Sequence, residues 1–172
     1  MSKMSGIGQC CRVQQHAKPD HSGTAMTSPD ILNANRVILC HFDSYSAALL
    51  FARWGRCMLA PEPLPESAVP MVAPADVTAF HDAEAVKQAA VARYGLNADE
   101  LVRMDDFDQW MQTDAGPIRV HVLRFSTFEA PAPLIAAHDG VFKPISELRG
   151  SAMLELNLLR EVFNLVMAGS GR

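Results

Sequence analysis

The sequence predicts a single α+β domain. Three observations carry this. β-branched apolar runs such as Arg36-Val37-Ile38-Leu39-Cys40-His41 read as strands. An alanine-rich stretch, Ala83 to Tyr94, lacks both Gly and Pro and reads as a helix. The C-terminal stripe of Leu154, Leu158, Leu159, Val162, Phe163 and Val166 recurs at helical spacing. At 172 residues the chain has the length of one domain. Its 49% apolar and 20% charged composition is that of a globular protein able to bury a core without staples.

Residues 1–30 show no apolar periodicity and read as a disordered N-terminal tail, with the domain spanning 31–170. Met26 could equally begin the protein. Cys10 and Cys11, with His16 and His21 behind them, fit no common zinc spacing. The Arg36–His41 strand is followed by apolar Ala47–Ala52, a Gly55 turn and Cys57–Ala60, which suggests a hairpin between the last two runs. A helix over Ser44–Arg53 is the competing assignment, because short apolar runs are ambiguous by period. Pro61, Pro63, Pro65, Pro70 and Pro74 make residues 61–75 an extended surface loop.

Asp82 is placed to cap the alanine-rich helix, Glu84 and Arg93 match its dipole at either end, and Gly95 stops it. Leu101–Met111 and Pro117–Thr127 follow as a hairpin about a Thr113–Gly116 turn. On its second strand Ile118, Val120 and Val122 share one face, and Arg119, His121, Leu123 and Phe125 the other. Pro131 and Pro133 mark a loop. Phe142–Leu148 is an extended piece running into a helical turn, and Ser151 caps the last helix, Ala152–Met167, whose polar residues are Glu155, Arg160, Glu161 and Asn164.

The net charge of −4 argues against a general nucleic-acid binder. No apolar run reaches the roughly 18 residues of a membrane span, so no membrane partner is expected. The first five residues carry no apolar core of a secretory signal, so a cytoplasmic location with free thiols is expected.

Two segments resemble the Nudix fold. Asp82-Ala-Glu-Ala-Val-Lys-Gln-Ala-Ala-Val-Ala-Arg-Tyr-Gly-Leu96 is similar to the Nudix-box helix with its terminal Gly-apolar pair. Phe142-Lys-Pro-Ile-Ser-Glu-Leu148 is similar to the Trp-x-Pro-Leu-x-Glu-Leu segment before the last helix of many members. The resemblance covers roughly residues 36–168. It implies a Nudix-like mixed sheet and a Mg²⁺-dependent hydrolase site on the box helix. The box is degenerate, however. Anchored on Gly95 and Leu96, it places Pro74 at the opening Gly, Phe80 at the first Glu, Gln88 and Ala89 at Arg-Glu, and Ala92 and Arg93 at the Glu-Glu pair. Those glutamates would hold the metal, and alanine supplies no ligand.

The expectation is therefore an inactive Nudix-like module without cofactor, binding a nucleotide-like or other phosphate-bearing small molecule. Arg93, Gln88 and Glu84 are its candidate ligand-binding residues; no residue is assigned as catalytic or metal-binding. One alternative is a divergent pyrophosphohydrolase using Mg²⁺ on acids outside the box: Asp99, Glu100, Asp105, Asp106 and Asp108, otherwise a solvated run. Another is an interaction protein without small ligand, homodimeric through its last helix or a sheet edge. His81-Asp82-x-Glu84 is a weaker metal candidate, since capping already explains Asp82 and Glu84. His121 reads as a packed or hydrogen-bonded histidine, and Trp54, Trp110 and Phe107 as core rather than a base-stacking surface.

Overall fold

The computed structural model describes residues 30–169. The N-terminal segment and its Cys10-Cys11 pair lie outside them, apart from Asp30. Seven strands, β1 (Asn35–Asp43), β2 (Ala48–Trp54), β3 (Val69–Met71), β4 (Leu101–Arg103), β5 (Gln109–Thr113), β6 (Gly116–Phe125) and β7 (Gly140–Pro144), form one mixed sheet. Its order is β3-β5-β6-β1-β2-β7, with β4 also on β6. The helices are α1 (Ala83–Tyr94), α2 (Ala132–Ala136) and α3 (Met153–Gly169). The chain is thus a single α+β domain. Among the described residues no helix is long and apolar enough to cross a membrane.

The centre of the sheet is the parallel pair β1–β6, running from Asn35 opposite Arg119 to His41 opposite Phe125. Alternation along these strands divides the core in two. Ile38, Cys40, Val120 and Val122 face one side and pack with Phe51, Leu158, Leu159 and Val162, so α3 covers that face. Val37, Leu39, Leu123 and Phe125 face the other and pack with Val86, Ala90, Tyr94 and Ile135, so α1 and α2 cover it. Burying a side chain such as Leu159 contributes roughly 1.5–3 kcal/mol.

α1 forms as expected. The Asp82 carboxylate accepts from Ala85 N at 2.8 Å, and Gly95 ends the helix at φ 63°, a backbone conformation that side chains disfavour. Elsewhere the pairing differs. Ala48–Trp54 is a strand, not a helix, and its hairpin partner is β1, across Asp43 and Ala48. Its other neighbour is β7. Cys57–Ala60, expected as that partner, makes only isolated bridges, Trp54 to Cys57 and Val37 to Ala60, because both edges of β2 are already taken. The proline segment contributes the short edge strand β3, where Pro70 is tolerated.

The expected strand over Leu101–Met111 is split into β4 and β5, which share one edge of β6. Between them the chain turns out of the ladder, Phe107 N bonding Met104 O at 3.1 Å, and this buries Phe107. The loop at Pro131 and Pro133 contains α2, because proline fits a helix's first turn. α2 crosses closely over β7: a Cβ on Gly140 would lie 2.6 Å from Ile135 Cγ2 and 2.7 Å from Trp54 Nε1. On α3 the residues read as apolar include buried Leu158, Leu159, Val162 and Val166, but Glu155, read as a polar-face residue, is buried too. Its carboxylate accepts from Met58 N at 3.1 Å and Cys57 Sγ at 3.5 Å, fastening the helix to the 57–60 segment. Ser151 Oγ meets Met58 Sδ at 3.4 Å, and α3 begins at Met153. Cys40 and Cys57 are free thiols, both pushed up to about 12, chiefly by burial.

Candidate functional site

A cluster of buried polar residues lies on the α1 face of the sheet, at the start of β1. A 3-10 turn over Ile31–Ala34, capped by the Asp30 carboxylate on Leu32 N at 3.1 Å, delivers Asn35 as the first residue of β1. Asn35 is fully buried and uses its whole amide. Nδ2 donates to Ile31 O at 2.7 Å and Phe80 O at 2.6 Å. Oδ1 accepts from His81 Nδ1 at 3.1 Å and His121 Nε2 at 2.9 Å. With Oδ1 as the shared acceptor, both imidazoles must present N–H to it, which leaves His121 Nδ1 and His81 Nε2 as acceptors when the rings are neutral. Burial, then the nearby Arg119, then His81, depress His121 to about 3. His81 is lowered for the first two of these reasons. Both rings are therefore neutral near pH 7.

Arg119 and Trp110 form the next layer. Arg119 Nη1 donates to His81 O at 2.9 Å, Nη2 pairs with Asp108 Oδ1 at 3.3 Å, and the guanidinium lies 5.3 Å from the Trp110 ring centroid. Trp110 Nε1 donates to the same Asp108 oxygen at 2.8 Å, and His81 meets the Trp110 ring edge-on at 4.9 Å. Arg119 Nε is buried without a hydrogen-bond partner. At the rim Arg103 bridges two acids, Glu84 at 2.9 Å from the start of α1 and Asp105 at 3.1 Å. Between them lies a cavity of about 10 Å³ whose lining includes Ala83, Arg103, Asp105, Arg119 and His121. That is room for a single water, so a larger ligand must sit on the rim.

The candidates from the sequence divide. Gln88 Nε2 bonds Glu84 Oε1 at 2.9 Å and Glu84 reaches Arg103, so Glu84 is joined to the cleft through Arg103 and Gln88 only through Glu84; neither lines it. Arg93 has no such link. Nine residues at about 100° each set it half a turn round the helix from Glu84, and it pairs with Asp30 at 3.2 Å. Asp105 and Asp108 are held by arginines, and Asp99 sits in a 3-10 turn whose Asn97 cap accepts from Asp99 N. Among the described residues no group of three or more His, Cys, Asp or Glu is placed to hold a metal ion. Trp110 and Phe107 are core residues, as read, while Trp54 is half-buried and tilts against Tyr94 at 5.8 Å.

Asn35, Arg103 and Arg119 were not singled out from the sequence. The signal for Arg119 was present, since strand alternation puts it on one face with His121. Asn35 carries no such signal, because its partners lie 46 and 86 residues away. No protein-family model matches this chain, and no curated protein matches it.

Proposed function

We propose that this chain is a Nudix-like scaffold without metal-dependent hydrolysis. In this reading it binds a nucleotide-like or other phosphate-bearing small molecule at the cleft beside the start of α1. The observation that carries the reading is the pair of guanidiniums there. Arg103 and Arg119 line one cleft with Ala83, Arg103 held by Glu84 and Asp105 and Arg119 by Asp108 and the His81 carbonyl. Guanidiniums so held offer preset donors to phosphate oxygens. The box positions support the other half: Ala89, Ala92 and Arg93 stand where metal-binding carboxylates would be, and do not fit a Mg²⁺ site. An entering anion would displace Glu84 and Asp105 from Arg103, exchanging one charge-assisted contact for another.

The test is a thermal-shift panel of nucleoside diphosphate derivatives, with and without Mg²⁺, on the wild type and on Arg103→Gln and Arg119→Gln. A ligand that binds only the folded chain raises its melting temperature, by about 2.7 kcal/mol of stabilisation at a hundredfold excess over Kd. The expected result is a metal-independent rise that weakens about tenfold or more in either variant. A rise unaffected by both substitutions, or no rise with any member of the panel, overturns the reading.

A further inference from the structure

On the same face of the sheet, at the other end of β1, a second cleft of about 330 Å³ is lined by Asp43, Tyr45, Leu50, Phe128, Glu129 and Ala130. Its chemistry is the opposite of the arginine cleft. Two carboxylates line it and no cationic side chain does. Two aromatic residues line it and are almost bare to solvent, Tyr45 at 96% and Phe128 at 82% exposed. Two such rings beside one cleft leave apolar area without a partner. The Asp43 carboxylate is fixed in place, accepting from Tyr45 N at 3.0 Å and Ser46 Oγ at 2.5 Å; these bonds, that from Ser46 first, hold it below the usual carboxylate range. Asp43 therefore stays charged. Behind Leu50, its cross-strand partner His41 is buried at 1% exposed and does not line the cleft.

We infer that this cleft binds an organic ammonium cation, an alkyl amine whose charged head meets Asp43 and Glu129 while its chain lies between the rings of Tyr45 and Phe128. Carboxylates without a competing cation set the sign of the ligand. Aromatic faces attract a cation through the ring quadrupole and cover its methylene groups at the same time. The volume suits a small molecule or one basic side chain, and is at the lower end of ordinary ligand clefts. An anion is excluded here for the reason that favours it at Arg103 and Arg119. This site is independent of the reading in the preceding subsection.

The probe is n-butylammonium, with butan-1-ol as its neutral match, titrated into the full chain and followed by amide NMR shifts. Saturable millimolar binding is expected, with shifts centred on Asp43–Leu50 and Phe128–Ala130, and butan-1-ol about tenfold weaker or more. Phe128→Ala and Tyr45→Ala should each weaken butylammonium about threefold, and Asp43→Asn with Glu129→Gln together should remove the preference over the alcohol. These side chains are exposed, so the unliganded spectra report directly that each variant remains folded. Equal binding of amine and alcohol, shifts centred elsewhere, or no saturation overturns the inference.

Discussion

The two faces of the sheet are built by the same strands, each with its own apolar core, and differ in the polar groups they bury. On β1 and β6 the face turned to α3 carries buried apolar Ile38, Cys40, Ile118, Val120 and Val122, with the buried Arg36 at its start. The other face carries apolar Val37, Leu39, Leu123 and Phe125, and beside them Asn35, Arg119 and His121 join His81 in a hydrogen-bonded cluster. A strand's period of two lets neighbouring residues serve separate purposes, an apolar core on one side and a hydrogen-bonded cluster on the other. The α3 face also buries two charged residues: Arg36, which donates to the Leu32 and Asn35 carbonyls and to Glu62, and Glu155, which accepts from the main chain of Met58. The α1 face keeps neutral histidines, guanidiniums and both proposed ligand clefts.

If the division holds, the largest loss comes from the α3 face. Leu159→Ala removes a fully buried side chain and leaves a cavity, and should cost about 2–5 kcal/mol. Denaturant unfolding measures it; a loss under about 1 kcal/mol would mean that α3 is not the main support of the core.

Acid should act instead on the polar face. His121 titrates at about 3 when folded, against an ordinary 6.5. Between those values the unfolded chain binds the proton and the folded chain does not. Stability from this group is thus complete above about pH 6.5 and lost as pH falls toward about 3, by a few kcal/mol in total. The lowered values of His81 and His41 act in the same direction. His121→Gln keeps a donor for Asn35 and removes the titration. Its melting temperature should therefore fall less than the wild type's between pH 7 and about pH 4.5. Parallel curves would show that His121 is protonated without penalty.

Gly140→Ala tests the seam where α2 meets β7. The added methyl, 2.6 Å from Ile135 Cγ2, forces a shift and should cost about 1–3 kcal/mol. An unchanged melting temperature would mean that α2 moves freely over the strand. The smallest effect belongs to Arg93→Ala. Its ion pair with Asp30 is half exposed on both sides, and helix-end charge and ion pair together contribute about 0.3–1 kcal/mol. The same variant should leave ligand affinity at the Arg103 cleft unchanged. A tenfold loss of affinity there would restore Arg93 to the site.

What could be read from the sequence was local. Asp82 and Gly95 declared the two ends of α1, alternation sorted β6 into its faces, and the leucine stripe announced α3. Each of these signals lies within a few residues of the structure it specifies. The partners of β2 were not legible, because Cys57–Ala60 and Asn35–Asp43 are equally good apolar neighbours until the whole sheet is laid out. Glu155 looked like a surface residue because nothing near it in sequence reveals the main-chain donor at Met58. The candidate site was legible only in fragments. His81, His121 and Glu84 drew attention singly, whereas the Asn35 amide that joins the two histidines and the Arg103 side chain that holds Glu84 depend on strand register.

The central proposal is that the cleft beside α1 binds a phosphate-bearing ligand without hydrolysing it. The direct measurement is release of phosphate or mononucleotide from a panel of nucleoside diphosphate derivatives, in the presence of Mg²⁺ or Mn²⁺. With alanine at positions 89 and 92 and arginine at 93, no metal-dependent turnover is expected for any member, including those that raise the melting temperature. Turnover in the ordinary enzymatic range of about 1–10³ s⁻¹ would contradict the account and place the catalytic metal on acids outside α1.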